Sequence, residues 1–186
     1  PKIKIGLNQN KTITSNEMIF KIDDWLEFLG YFLSEGGIEY QKNIPYHTVI
    51  SQSITFNKPK INKIVACINR MRLKVAIHGN NITINSKQLA TYLCKFGKCH
   101  DKYVPIDIKK LCQRQLKILL KALMLGDGHI DKITQHATYI TSSKKLRDDI
   151  QEICLKIGLS ANFYCRIKKG DIIQLPENRK GYASNE

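Results

Sequence analysis

Two apolar runs in this chain end in the same way. Residues 28–36 read FLGYFLSEG and residues 120–128 read LKALMLGDG. Aligned 92 residues apart, Gly30 falls on Ala122, Ser34 on Gly126, Glu35 on Asp127, Gly36 on Gly128 and Ile38 on Ile130. Small residue matches small, acid matches acid, and glycine matches glycine. One such ending would read as an ordinary exposed acid at a helix end. Two in register mark an internal duplication. The correspondence resumes downstream at a spacing of 86, with Thr55 on Thr141, Lys58 on Lys144, Ile64 on Ile150 and Leu73 on Leu159. A chain made of one repeated unit must bury the apolar helix of each copy, and the other copy's helix is the available partner.

Hydrophobic periodicity fills in each unit. A helix opens near Asp23-Asp24, acids suited to a helix N-terminus, and runs to Glu35, where Gly36-Gly37 can end it. A strand follows over 46–56, with Ser51, Ser53 and Thr55 alternating against Ile50, Ile54 and Phe56. Then come a helix over 58–71, a hairpin over 74–85 turning at Gly79-Asn80, and a closing helix over 86–97. Residues 98–110 connect the halves. The second unit repeats a strand (137–143), a helix (144–158) and a hairpin (161–174) turning at Lys169-Gly170, without a closing helix. The expected division is 1–110 and 111–186.

Within each apolar run the small residues are four apart, Gly30 with Ser34 and Ala122 with Gly126, so each pair shares a helix face. Helices meeting through such faces approach closely. Phe28, Phe32, Leu120 and Met124 then point into the cores of their halves. The crossing brings Glu35 and Asp127 together. Two carboxylates about 5 Å apart repel by roughly 3 kcal/mol at an effective dielectric of ~20. Both stand at helix C-termini, where the dipole disfavours negative charge. A hard divalent cation such as Mg²⁺ (or Mn²⁺) relieves both effects.

Lys and Arg outnumber Asp and Glu by 30 to 16, a formal net charge of +14. A balance this basic points to a polyanionic partner, above all nucleic acid. No apolar run is long enough to cross a bilayer, so no membrane partner is expected. No signal peptide opens the chain, and a secreted protein is not expected. The six cysteines include no C-x-x-C pair and read as reduced, unpaired thiols. The expected compartment is the cytoplasm of a prokaryote, archaeon or phage host, or an organelle.

At the two acid-tipped runs the sequence resembles the LAGLIDADG homing endonucleases, particularly the intein-embedded (dodecapeptide) subgroup. FLGYFLSEG also resembles the L-G-Y-F-x-x-E-G variant of that subgroup. The resemblance covers roughly residues 22–174. It implies an α+β fold of duplicated, pseudo-symmetric αββαββα units. Two antiparallel sheets form a DNA-binding saddle, and the motif helices pack at its centre. It implies a monomeric pseudo-dimer that cuts both strands of a long, partly asymmetric DNA target and leaves short 3′ overhangs. Glu35 and Asp127 would bind metal and catalyse, with Ser34 and Gly126 beside them in the ligand set. A lysine in a K-x-[IV]-P setting precedes the second motif in the family, and Lys102 in K-Y-V-P fits. Family members often place glutamine after the strand; here Asn57 and Ser143 are the expected water-network residues.

DNA contacts are expected from polar strand faces: Ser51, Ser53, Thr55, Asn57, His78, Asn80, Thr83, Tyr139, Thr141, Ser143, Arg166, Lys168 and Lys169. Strand alternation presents such side chains to the major groove. The first acid departs from the family's usual Asp. The alternative reading is a non-cleaving nucleic-acid binder on the same scaffold, an intron maturase or a DNA-binding regulator. No terminal splicing residues of an intein are visible.

Overall fold

The structure is a computed structural model that describes residues 2–5, 17–53, 57–165, 172–174 and 180–182. Thr55, Arg166, Lys168, Lys169 and the turn expected at 169–170 lie outside these residues.

Strand β1 (Lys2–Ile5) pairs antiparallel with β2 (Met18–Lys21), an element without a sequence expectation. The chain passes directly into α1 (Ile22–Glu35), with Asp23 and Asp24 in its first turn. Trp25, Leu26, Phe28, Leu29, Tyr31, Phe32 and Leu33 are all buried. A helix apolar on nearly every side must sit inside a core, and α1 does. Phe20, Trp25, Phe28, Phe32 and Phe96 make a chain of ring contacts along it.

Gly36 and Gly37 do more than end α1. They open strand β3 (Gly36–Gln41), which returns through Lys42 and Asn43 into β4 (Ile44–Ser51). Both turn residues are left-handed, at φ 49° and 63°, the twist a two-residue hairpin favours. Gly36 itself is extended, with φ −85°. Its requirement is space, because a Cβ there would strike the backbone of Phe32. Gly128 meets Met124 in the same way.

Strand β4 stops at Ser51, short of the expected 56, and the Gln52 amide donates to the Asn80 carbonyl at 2.7 Å. Helix α2 (Lys58–Arg70) follows, burying Ile61, Ile64, Cys67 and Ile68. The hairpin β5 (Val75–His78) and β6 (Asn81–Ile84) turns at Gly79, φ 53°, as expected. The sheet order is β3-β4-β6-β5. Its register pairs Ile50 with Ile82 and Thr48 with Ile84 on the core face, and Ser51 with Asn81 on the other. Helix α3 (Lys87–Leu93) is capped by Ser86 Oγ, which accepts from the Leu89 amide, and ends in a 3₁₀ turn over 94–96.

Helix α4 (Ile106–Lys109) lies in the connector, and α5 (Gln113–Asp127) carries the second motif. Strands β7 (Gly128–Ile130) and β8 (Ala137–Tyr139) pair, so the strand expected over 137–143 ends at 139. Helix α6 (Lys144–Lys156) matches its expectation closely. Of the hairpin expected over 161–174, only 161–165 and 172–174 are among the described residues. Residues 161–165 have no regular structure, and β9 (Ile172–Gln174) pairs with β10 (Lys180–Tyr182). Leu120 and Met124 are only half-buried, unlike Phe28 and Phe32, because few described strand residues cover α5 on that side.

Helices α1 and α5 pack against each other at the centre, and the small residues set the distance. A Cβ on Gly30 would stand 2.5 Å from the Ala122 Cβ. At the N-terminal ends Arg114 donates to both Asp23 oxygens, at 2.7 and 3.0 Å.

Candidate active site

The crossing ends where the two acids stand. One turn after Gly30, Ser34 fills the space a Gly126 side chain would need. Its hydroxyl donates to the Leu123 carbonyl at 3.2 Å and lies 2.9 Å from the Tyr139 hydroxyl. Glu35 and Asp127 follow immediately on their helices. Burial pushes the Asp127 carboxyl above its ordinary range, and the nearby Glu35 charge adds to the effect. Lys60 and Lys102 pull the other way.

Lys102 comes from the connector and is 4% exposed. Its ammonium donates to the Phe32 carbonyl at 2.8 Å and the Gly36 carbonyl at 2.7 Å, capping the C-terminus of α1. Burial lowers its pKa to about 8, against the raising influence of Asp127, Cys99 and Glu35. Its position is set from the second half. Ser143 Oγ donates to the Lys102 carbonyl at 2.6 Å, and the Val104 amide donates to Asp149 Oδ2 at 2.7 Å. Lys102, Ser34, Asp127, Cys99 and Thr141 line one cleft of about 350 Å³.

Two residues here went unread in the sequence. Lys60 of α2 donates to Glu35 Oε1 at 2.9 Å and to the Gly126 carbonyl at 2.8 Å. Nothing local distinguishes it from the other lysines of a basic chain. Gln52 is 5% exposed and accepts from Asn57 Nδ2 at 3.1 Å. It is the polar residue directly after the strand, and was passed over because β4 was expected to run five residues further. Its break in the apolar alternation was the available signal.

The remaining expected residues separate into groups. Ser51, His78 and Thr83 share the outward face of the first sheet, with Asn80 at its hairpin turn. Ser51 donates to Asn81 Oδ1 at 2.9 Å. Ser53 and Asn57 are half-buried beyond the strand end. Tyr139 and Thr141 lie with the acids instead: Tyr139 against Ser34, and Thr141 in the Asp127 cleft. Burial raises the Tyr139 phenol above its ordinary range. Ser143 is a correction. At 1% exposure it caps α6, accepting from the Leu146 amide at 3.1 Å, and has no surface to offer DNA.

The donor set suits a hard cation. Two carboxylates and backbone carbonyls converge, and the Lys60 ammonium already bridges one acid and one carbonyl. Among the described residues no group of three or more His, Cys, Asp or Glu stands ready to bind metal. Further ligands would therefore be water and phosphate oxygen.

The model of the LAGLIDADG-like domain family matches residues 115–177. The ATP-dependent Clp protease proteolytic subunit of Chlamydomonas moewusii is 24% identical over 162 residues, covering 82% of this chain and 16% of that protein. The DNA-directed RNA polymerase subunit beta C-terminal section of Stigeoclonium helveticum is 27% identical over 207 residues, covering 88% and 18%. Replicative DNA helicase DnaB of Synechocystis sp. is 35% identical over 72 residues, covering 36% and 8%. The chain thus spans less than a fifth of the length of these relatives. Among solved structures, I-DmoI in complex with DNA and Mn is similar at a TM-score of 0.52 and 18% identity, covering 75% of this chain and 80% of that one. The homing endonuclease I-WcaI bound to its DNA recognition sequence is similar at a TM-score of 0.50 and 16% identity, covering 86% and 74%.

Proposed function

We propose that this chain, whose α+β fold is that of the LAGLIDADG homing endonucleases, is a sequence-specific double-strand DNA endonuclease of the intein-type subgroup. The observation that carries the reading is the crossing itself. Small residues let α1 and α5 touch, and this brings together the helix ends that carry Glu35 and Asp127, with buried Lys102 in the lining of the Asp127 cleft. A scaffold that only binds DNA has no need of paired acids there. The relatives support an inserted element: a protease subunit, a polymerase section and a helicase share no chemistry, yet each matches this chain over a small part of its length.

The chain acts as two halves, 1–110 and 111–186, in one monomer. Glu35 and Asp127 hold Mg²⁺ or Mn²⁺, with the Gly126 carbonyl and Ser34 at the same place. When bound, the cation supplies Lewis acidity at the scissile phosphate. Lys102 carries a positive charge at the cleft below about pH 8 and stabilises charge developing on the phosphate. Gln52, held by Asn57, is the residue we assign to orienting water. Ser51, His78, Asn80 and Thr83 present donors and acceptors to base edges, and the excess of lysine holds the backbone. The cuts leave short 3′ overhangs in a long, partly asymmetric site. The compartment is one that holds the target DNA, cytoplasmic or organellar.

Cleavage of a randomised duplex library with Mg²⁺ tests this reading. Wild type should yield products with 3′ overhangs, and Asp127→Asn should cut at least about a hundredfold more slowly while retaining DNA binding. A second reading, a binder that does not cut, is favoured by one observation: the Lys60 ammonium already neutralises Glu35. Selective retention of some sequences without cutting by either protein would establish that reading instead.

A further inference from the structure

Helix α2 carries Lys60 to the ends of both motif helices. Its ammonium bridges an acid of one half, Glu35, and a carbonyl of the other, Gly126, at 2.9 and 2.8 Å. The two side chains are 13% and 24% exposed. Solvent and salt therefore screen the pair far less than a surface ion pair. Helix α6 is the counterpart of α2, and the 86-residue spacing places Leu146 where α2 has Lys60. Leu146 is buried at 1% exposure. No described side chain donates a hydrogen bond to the Asp127 carboxylate or pairs with it. Glu35 has an ammonium bonded to it, whereas Asp127 feels Lys60 and Lys102 only through space.

We propose that Lys60 is a built-in counter-ion for Glu35 that makes the two acids unequal: Glu35 must release Lys60 before it can hold a divalent cation, whereas Asp127 has no bonded ammonium to release. This rests on the endonuclease reading and deepens it. Duplex DNA at the cleft offers the ammonium another anion, its phosphate, so DNA binding and the release of Glu35 favour each other. Without DNA the pair holds only weakly to metal. With DNA the strand served by Asp127 is cut first, and a duplex nicked in that strand accumulates.

The test is an Mn²⁺ titration without DNA, by calorimetry, on wild type, Lys60→Met, Lys60→Gln and Lys60→Arg, each checked for folding by circular dichroism. The neutral variants should bind Mn²⁺ at least about fivefold more tightly, since a competing charge has been removed. Lys60→Arg should resemble wild type. The gain should vanish in a Glu35→Gln background. On strand-labelled DNA, the lag between the first and second cuts should shorten in Lys60→Met. Unchanged or weaker Mn²⁺ affinity in both neutral variants overturns the proposal, as does loss of one strand's cleavage without an affinity gain. Absence of DNA cutting by wild type would remove the endonuclease reading alone, because the Mn²⁺ titration still decides the role of Lys60.

Discussion

Gly126 sits where Ser34 leaves no room for a methyl group. Gly126→Ala should destabilise the fold by about 1–3 kcal/mol, read as a lower midpoint in urea with an unchanged slope. The penalty is one of overpacking, so Ser34→Gly in the same chain should recover most of it. Lys102 is the other residue on which much turns. Burial favours its neutral amine, so it loses its proton near pH 8, well below an ordinary lysine. If its charge stabilises the phosphate, single-turnover cleavage falls as pH is raised through about 8. Lys102→Met should be slower at all pH values and lack that fall. A rate that climbs through the same range would instead assign Lys102 as a base. Lys102 was legible because the motif setting singled it out. Lys60 was not, because a lysine in the first turn of a helix gains meaning only from what the fold places opposite it.

At the scale of elements, the connector and α6 hold Lys102 in place. Asp149 accepts from the Val104 amide and from Lys109, both at 2.7 Å, and is 8% exposed. Asp149→Ala leaves the buried Val104 amide without its acceptor and Lys109 with Glu152 as its remaining carboxylate, and should cost about 1–3 kcal/mol by thermal or urea unfolding. Arg114→Ala removes a more exposed pair with Asp23, and should cost under about 1 kcal/mol. Helices α1, α2, α5 and α6 were readable from sequence because their apolar stripes extend over three turns or more, whereas the four-residue α4 was read as connector. The short strand β7 was not readable, because three residues give no period, and β8 was read four residues too long. Ser143 illustrates the same limit. The sequence shows a polar residue near a strand end, and only the packing of the connector shows that it faces inward.

For the whole molecule, the proposed DNA partner gives the net charge of +14 a measurable consequence. Binding should be strongly salt-dependent, losing on the order of a thousandfold in affinity between about 50 and 200 mM salt if roughly six phosphates are contacted. Fluorescence anisotropy on a selected target, plotted as log K against log salt, checks this. A flat plot would show that lysine does little for DNA binding. The first half holds the larger core, with the aromatic chain from Phe20 to Phe96, and the second leans on it through α5 and α6. The Gln115→Ala and Leu119→Ala variants of α5 should therefore unfold both halves in one transition.

The repeat determined the most. From it came the central helix pair, the small residues at their crossing and the juxtaposition of Glu35 with Asp127, because helical periodicity and a duplicated small-acid-glycine ending are local properties of the chain. The tertiary structure decided what surrounds those acids. Which lysine reaches Glu35, which carbonyls Lys102 caps and which serine is buried depend on contacts between residues 25 to 70 positions apart. Such contacts leave no periodic trace, since each is set by how packed elements meet.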